Sequence, residues 1–161
     1  MRSAGLFLAL MLVLAACDSS VVSSDTRAIS GGWGMDQTIE FEMPALDSTG
    51  VYNVFLDIRN NNEYPFNNLF LIVAMDFPNG KIITDTLEYR MARPDGSWLG
   101  TGLGSMKENK LWYKEGVQFL EPGAYRMRIS QAVRNNGEVS GVSQLQGITD
   151  IGYTVEAASQ Q

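Results

Sequence analysis

The chain has 161 residues, 18 of them acidic against 12 basic, for a formal net charge of −6. An acidic chain with no basic stripe excludes the electrostatic footprint of a nucleic-acid binder and of a domain held on an anionic bilayer by charge. With no histidine and a single cysteine, Ser-His-Asp and Cys-His nucleophilic schemes and an internal disulfide are also excluded, and the commonest transition-metal ligand is missing.

Met1-Arg2 gives a positive start, and residues 6–16 form an uninterrupted apolar run of eleven. As a helix that run would be about 16 Å long, half a hydrocarbon core, so a cleaved export signal over residues 1–16 is expected rather than a membrane span. It ends in Leu14-Ala15-Ala16-Cys17, followed at once by Asp18-Ser19-Ser20. Leu-Ala-Ala-Cys is similar to the bacterial lipobox, which implies that Cys17 is acylated and becomes the first residue of the mature protein. Acyl chains at about 0.8 kcal/mol per buried CH2 make a durable anchor. Residues 17–32 are rich in Ser, Thr, Gly and Asp without sustained periodicity. They read as a flexible tether, with only Val21-Val22 able to pair locally.

From Trp33 the period is two, and no long segment shows helical spacing. Ile39, Phe41 and Met43 face opposite to Glu40 and Glu42, and Tyr52, Val54, Leu56 and Ile58 alternate in the same way. Residues 69–77 are almost wholly apolar and predict a central strand covered on both sides. Pro78-Asn79-Gly80 predicts a hairpin into a strand over 81–89. Regularity lapses through residue 105. Further strands are predicted at 110–114, briefly at 117–120, at 125–133 and at 148–156, with a fraying tail over 157–161. Seven or eight strands with frequent turns imply an all-β, antiparallel β-sandwich, jelly-roll or immunoglobulin-like, over residues 33–156.

No catalytic constellation is legible. Gly100, Gly102 and Gly104 open no helix, so they read as a bend between sheets rather than a phosphate cradle. Residues 60–68 combine amides with Tyr64, Pro65 and Phe66. They read first as a long turn with the aromatics packed beneath it. The second reading is a sugar site in which Tyr64, Phe66 and Trp98 stack and the amides bond hydroxyls. Calcium would need an acidic alternation that is missing there, and no metal or cofactor is expected. Asp57, Asp76, Asp85 and Glu88 could form a glycosidase pair only if the fold brought two of them together in a cleft. Of Trp33, Trp98 and Trp112, one or two are expected in the core. Arg126, Arg128 and Arg134 make a short basic row that pairs with the domain's own acids or meets an acidic partner.

Several blocks recur together. They are Arg59 with Tyr64-Pro65-Phe66-Asn67-Asn68-Leu69, Asp85-Thr86-Leu87-Glu88, and Pro94-Asp95-Gly96-Ser97-Trp98-Leu99-Gly100 with Gly102 and Gly104. Pro122-Gly123-Ala124-Tyr125, Ile129-Ser130-Gln131-Ala132-Val133-Arg134 and Ile148-Thr149-Asp150-Ile151-Gly152 complete the series. In this order behind a lipobox they resemble the GldH family of gliding-motility lipoproteins from Bacteroidetes, with Val133 where the family usually has methionine. The resemblance implies an outer-membrane lipoprotein needed for gliding, near the machinery that also exports proteins by the type IX route. It implies no enzyme activity and no catalytic residues. The partners expected are the membrane, through lipid on Cys17, and envelope proteins of the gliding machinery, with no nucleic acid. The alternative is a lipid-anchored glycan-binding module, and a carboxylate-only hydrolase stands third.

Overall fold

The computed structural model describes residues 20–158, so Cys17, the leader and the last three residues lie outside it. Ten strands follow in order: β1 (Val21–Ala28), β2 (Trp33–Gly34), β3 (Ile39–Met43), β4 (Tyr52–Asn60), β5 (Asn68–Asp76), β6 (Ile82–Arg90), β7 (Lys107–Val117), β8 (Tyr125–Gln131), β9 (Gln144–Leu145) and β10 (Ile148–Ala157). They form two four-stranded antiparallel sheets, β1-β10-β4-β7 and β3-β8-β5-β6, with β2-β9 as a separate ribbon. Counted along the chain, the eight sheet strands read 1-8-3-6 and 2-7-4-5, the order of a jelly roll. The β-sandwich expected from the period-two pattern is therefore found, and of its two named forms it takes the jelly roll.

The alternation reads directly into the packing. Val54, Leu56 and Ile58 of β4 and Ile151, Tyr153 and Val155 of β10 turn inward from one sheet, against Phe41, Leu71, Val73, Met127 and Ile129 of the other. Each fully buried side chain of this kind contributes about 1.5–3 kcal/mol. Phe41 and Tyr153 meet edge to face across the layers, with centroids 5.4 Å apart. Trp33 is fully buried and donates from Nε1 to the Gln37 carbonyl at 2.9 Å. Three polar side chains, Asn60, Asn109 and Gln131, are buried, and among the described residues none has an unpartnered buried atom. Gln131 donates to the Val142 carbonyl at 2.7 Å and accepts from the Val133 amide at 2.9 Å, stapling the 132–143 connection to the end of β8.

Four expectations need correction. The tether expected over 17–32 is, from Val21, a sheet strand: β1 pairs with β10 from Val21↔Glu156 to Ala28↔Asp150. Its sequence hides this because an edge strand held by backbone ladder bonds buries almost no side chain. The 69–77 strand is internal to its sheet but covered on one side only, since Phe70 and Ile72 on the outer face stay half-exposed. The separate strand at 117–120 does not form; β7 runs unbroken from Lys107 to Val117, and Phe119 instead tucks between Tyr52 and Tyr125. Of the tail, Ala157 and Ala158 are held, donating to the Ser20 and Val51 carbonyls at 2.8 Å each.

The sandwich has two distinct ends. At one lie Val21, Tyr52, Val117 and Ala157 of the first sheet with Met43, Asp76, Ile82 and Tyr125 of the second. The ring contacts Phe119–Tyr52, Phe119–Tyr125 and Phe77–Tyr125 join the two sets. This N-terminal pole carries the short connections 44–51, 77–81 and 118–124. The opposite, long-loop pole carries 29–38, 61–67, 91–106 and 132–147.

Candidate functional site

Tyr64, Phe66 and Trp98 do come together, at the long-loop pole. Tyr64 and Phe66 meet edge to face at 5.9 Å between centroids, and Tyr64 lies 6.1 Å from Trp98. Asn61 starts the turn by accepting the Glu63 amide on its side chain at 2.9 Å, and Gly147 closes over it. A β-carbon at Gly147 would sit 2.0 Å from the Tyr64 nitrogen, so that backbone approach needs glycine. Tyr64 is only 3% exposed and donates to the Asn68 carbonyl at 2.7 Å. Burial pushes its phenol well above the ordinary range. Trp98 is half-buried, with Nε1 donating to Asn62 Oδ1 at 3.1 Å. The cluster is a plug on the end of the core, with the faces of Tyr64 taken up by protein, rather than an open stacking platform.

The glycine stretch follows Trp98 in the crossover from β6 to β7, which carries the chain from one sheet to the other. Thr101 and Glu108 exchange backbone hydrogen bonds at 2.9 and 2.7 Å, and Lys107 Nζ donates to the Gly102 carbonyl at 2.7 Å. Beneath it, Asn109 donates to the Ile58 carbonyl at 3.0 Å and to Asn60 Oδ1 at 2.9 Å. A β-carbon at Gly100 would stand 2.7 Å from Asn109 Oδ1 and 2.8 Å from the Glu108 carbonyl. The loop thus packs backbone to core, and at its tip Leu103 is 96% exposed. Leu99 and Met106 flank it, each 40% exposed. Sequence reasoning named the loop but not Leu103, whose signal is an aliphatic residue set between two glycines.

A second feature was invisible in the sequence. The outer face of β1-β10-β4-β7 holds a polar groove of about 420 Å³ lined by Ser24, Thr26, Asp57, Arg59, Thr101, Glu108, Lys110, Asp150 and Thr154. Arg59 bridges Glu108 and, at 3.5 Å, Asp150; Lys110 pairs with Glu156. Asp57 accepts from Thr154 Oγ1 at 2.6 Å. Burial raises its carboxyl pKa, against the opposing pull of that hydrogen bond and of Lys110. Beside the groove on β7, Trp112 is 53% exposed and rests on Phe55, centroids 4.4 Å apart, while Lys110 Nζ lies 4.4 Å over the same Phe55 ring.

The remaining candidates do not converge. Asp76 is held by Arg128 at 2.7 and 3.1 Å, Asp85 by Tyr113 at 3.0 Å and Lys114 at 2.9 Å, and Glu88 by Asn68 at 2.8 Å. Asp57 lies on the other sheet. Arg126 and Arg128 stand opposite Glu42 and Glu40 in the β3–β8 register, so that part of the basic row serves the domain's own acids. Among the described residues, no three His, Cys, Asp or Glu side chains gather to hold a metal.

Residues 21–155 match the family described as GldH lipoprotein. A "Gliding motility lipoprotein GldH homolog" of Christiangramia forsetii is 48% identical over 151 residues, covering 94% of this chain and 93% of the relative. The "Gliding motility lipoprotein GldH" of Flavobacterium johnsoniae is 46% identical over 155 residues, 96% of each chain. Solved structures are much less similar. The infectious bursal disease virus VP2 subviral particle gives a TM-score of 0.36 at 11% identity, over 88% of this chain and 34% of that one, too slight a likeness to carry any argument. With one family matched across the sandwich and two relatives aligned over nearly their whole length, the chain belongs to the GldH family of gliding-motility lipoproteins.

Proposed function

We propose that this protein is an outer-membrane lipoprotein, anchored by lipid on Cys17, that supports gliding through protein contacts in or near the gliding and type IX secretion machinery. It acts without catalysis. The observation that carries this reading is Leu103: an almost fully exposed aliphatic side chain on a loop closed by the Thr101–Glu108 backbone pair and by Lys107, at the pole opposite the N-terminus. A buried aliphatic anchor in a partner's pocket stabilises an interface, whereas the same side chain left in water only costs hydration. The Thr101–Glu108 backbone pair and the Lys107–Gly102 bond close the loop in advance, which lowers the conformational entropy that docking spends.

The test is photocrosslinking from position 103 in intact cells, with identification of the captured proteins, alongside gliding assays of a Leu103→Glu strain. Envelope proteins captured from 103 and lost gliding are expected. Normal gliding of Leu103→Glu at normal protein level, with no specific crosslink, would overturn the reading.

A second reading, glycan binding, is favoured by Trp112 beside the polar groove rather than by Tyr64. An exposed ring next to carboxylates, hydroxyls and a guanidinium supplies the stacking and hydrogen bonding that a sugar needs. Binding on a glycan array that disappears in Trp112→Ala would support it, and flat binding by the intact protein would end it.

A further inference from the structure

We infer that the N-terminal pole is a bilayer-contact surface, on which the sandwich rests against the lipid with Val21, Val22, Val51, Ile82 and Leu120 at the headgroup boundary. The inference depends on the reading above that Cys17 carries the lipid, and it adds where the folded domain must then sit.

The chain between Cys17 and the sheet is short. The Ser20 carbonyl already accepts from the Ala157 amide at 2.8 Å, and Val21 is already in register with Glu156. Only three residue steps separate Cys17 from Ser20, a span of at most about 11 Å. An acylated Cys17 lies at the membrane interface, whose polar zone is itself about 5–8 Å deep on each side. A fixed point of the sheet is therefore held within roughly one headgroup layer of the lipid, and the domain cannot stand off as a fifteen-residue tether would have allowed.

The surface that this constraint presses on the bilayer is apolar. Val21 is 39% exposed, Val22 44%, Val51 42%, Ile82 56% and Leu120 65%, and all five belong to this pole. Val51 joins the patch through its carbonyl, which accepts from Ala158. The pole's three connections carry two acids, Asp47 and Glu121, and one base, Lys81, so no net positive charge draws them to anionic lipid. Attachment is then set by acyl chains plus apolar contact, and it is insensitive to salt. The other exposed aliphatics, Leu99, Leu103 and Val139, with Met35 and Met106, sit at the far pole, about 30 Å away along ten-residue β10, and cannot reach the same surface.

The experiment uses the acylated full chain in phosphatidylethanolamine–phosphatidylcholine vesicles. Because Cys17 is occupied by lipid, a cysteine introduced as Val51→Cys, Leu120→Cys, Leu103→Cys or Val139→Cys can be labelled alone with an environment-sensitive fluorophore. Quenching by nitroxide lipids is expected to be at least about three-fold stronger at 51 and 120 than at 103 and 139, and unchanged by salt. With Ile82→Asp and Leu120→Asp added, quenching at 51 is expected to fall at least about two-fold. Equal quenching at both poles, or no fall in the double aspartate variant, overturns the inference. Mass spectrometry of the N-terminal peptide keeps the two readings apart. An unacylated Cys17 overturns the anchor and this inference together, whereas an acylated chain with an unquenched pole overturns only the inference.

Discussion

Asn109→Ala tests the buried polar pair that ties β7 to β4 beneath the loop presenting Leu103. Asn109 is 7% exposed and gives one hydrogen to the Ile58 carbonyl and one to Asn60 Oδ1, and Asn60 is fully buried. Truncation leaves the Asn60 oxygen without that donor, which costs about 1–3 kcal/mol, and forfeits a second bond of about 1 kcal/mol. The total is about 2–4 kcal/mol, or roughly 6–14 °C in Tm for a domain of this size. Scanning calorimetry reads the loss. Hydrogen exchange should show the Thr101 and Glu108 amides, which close the loop, losing protection before the rest of β7. An Asn60→Ala, Asn109→Ala cycle should give a coupling of about 1 kcal/mol or more. A fall in Tm below about 2 °C, or additive single mutants, would refute the claim that this buried pair ties β7 to β4 beneath the loop.

Three further outcomes are expected. Gly147→Ala forces a β-carbon onto the Tyr64 backbone at a residue with φ of +83°, and should cost about 2–4 kcal/mol by urea unfolding; a loss under 0.5 kcal/mol would mean the two turns move apart freely. Asp57 binds its proton more tightly folded than unfolded, because burial disfavours the charged form. Its contribution is therefore fully present below the ordinary value of 3.8 and is lost as pH rises through the raised folded value. Asp57→Asn should accordingly raise Tm at pH 7, with the gain vanishing in acid below 3.8; a Tm difference constant from pH 3 to 7 would contradict the assignment. Removing residues 21–28 unpairs β10 and exposes its edge, so the shortened domain should lose cooperative melting and associate; a monomer with unchanged Tm would show that β1 is dispensable.

The strands legible in the sequence were those whose two faces differ. Ile39-Glu40-Phe41-Glu42-Met43 is buried and exposed in strict alternation, and Tyr125 to Ile129 nearly so. β1 was not legible because Ser23, Ser24, Asp25 and Thr26 carry no apolar face and the strand is defined by its ladder. The aromatic plug was legible as three residues worth watching, but its burial depends on Gly147, more than eighty positions from Tyr64. The groove was silent for the same reason. Asp57, Lys110, Asp150 and Thr26 come from four strands, and only the jelly-roll order sets them side by side.

The placement of β1 also has a mechanical consequence. Its ladder to β10 runs antiparallel through seven register pairs, with hydrogen bonds lying across the strand axis. A pull on the N-terminal end of β1, if opposed by a load on the far loops, would act along that axis and shear the pairs together instead of unzipping them singly. The strand that buries least then bears the traction, and its backbone ladder sets the force at which the protein gives way.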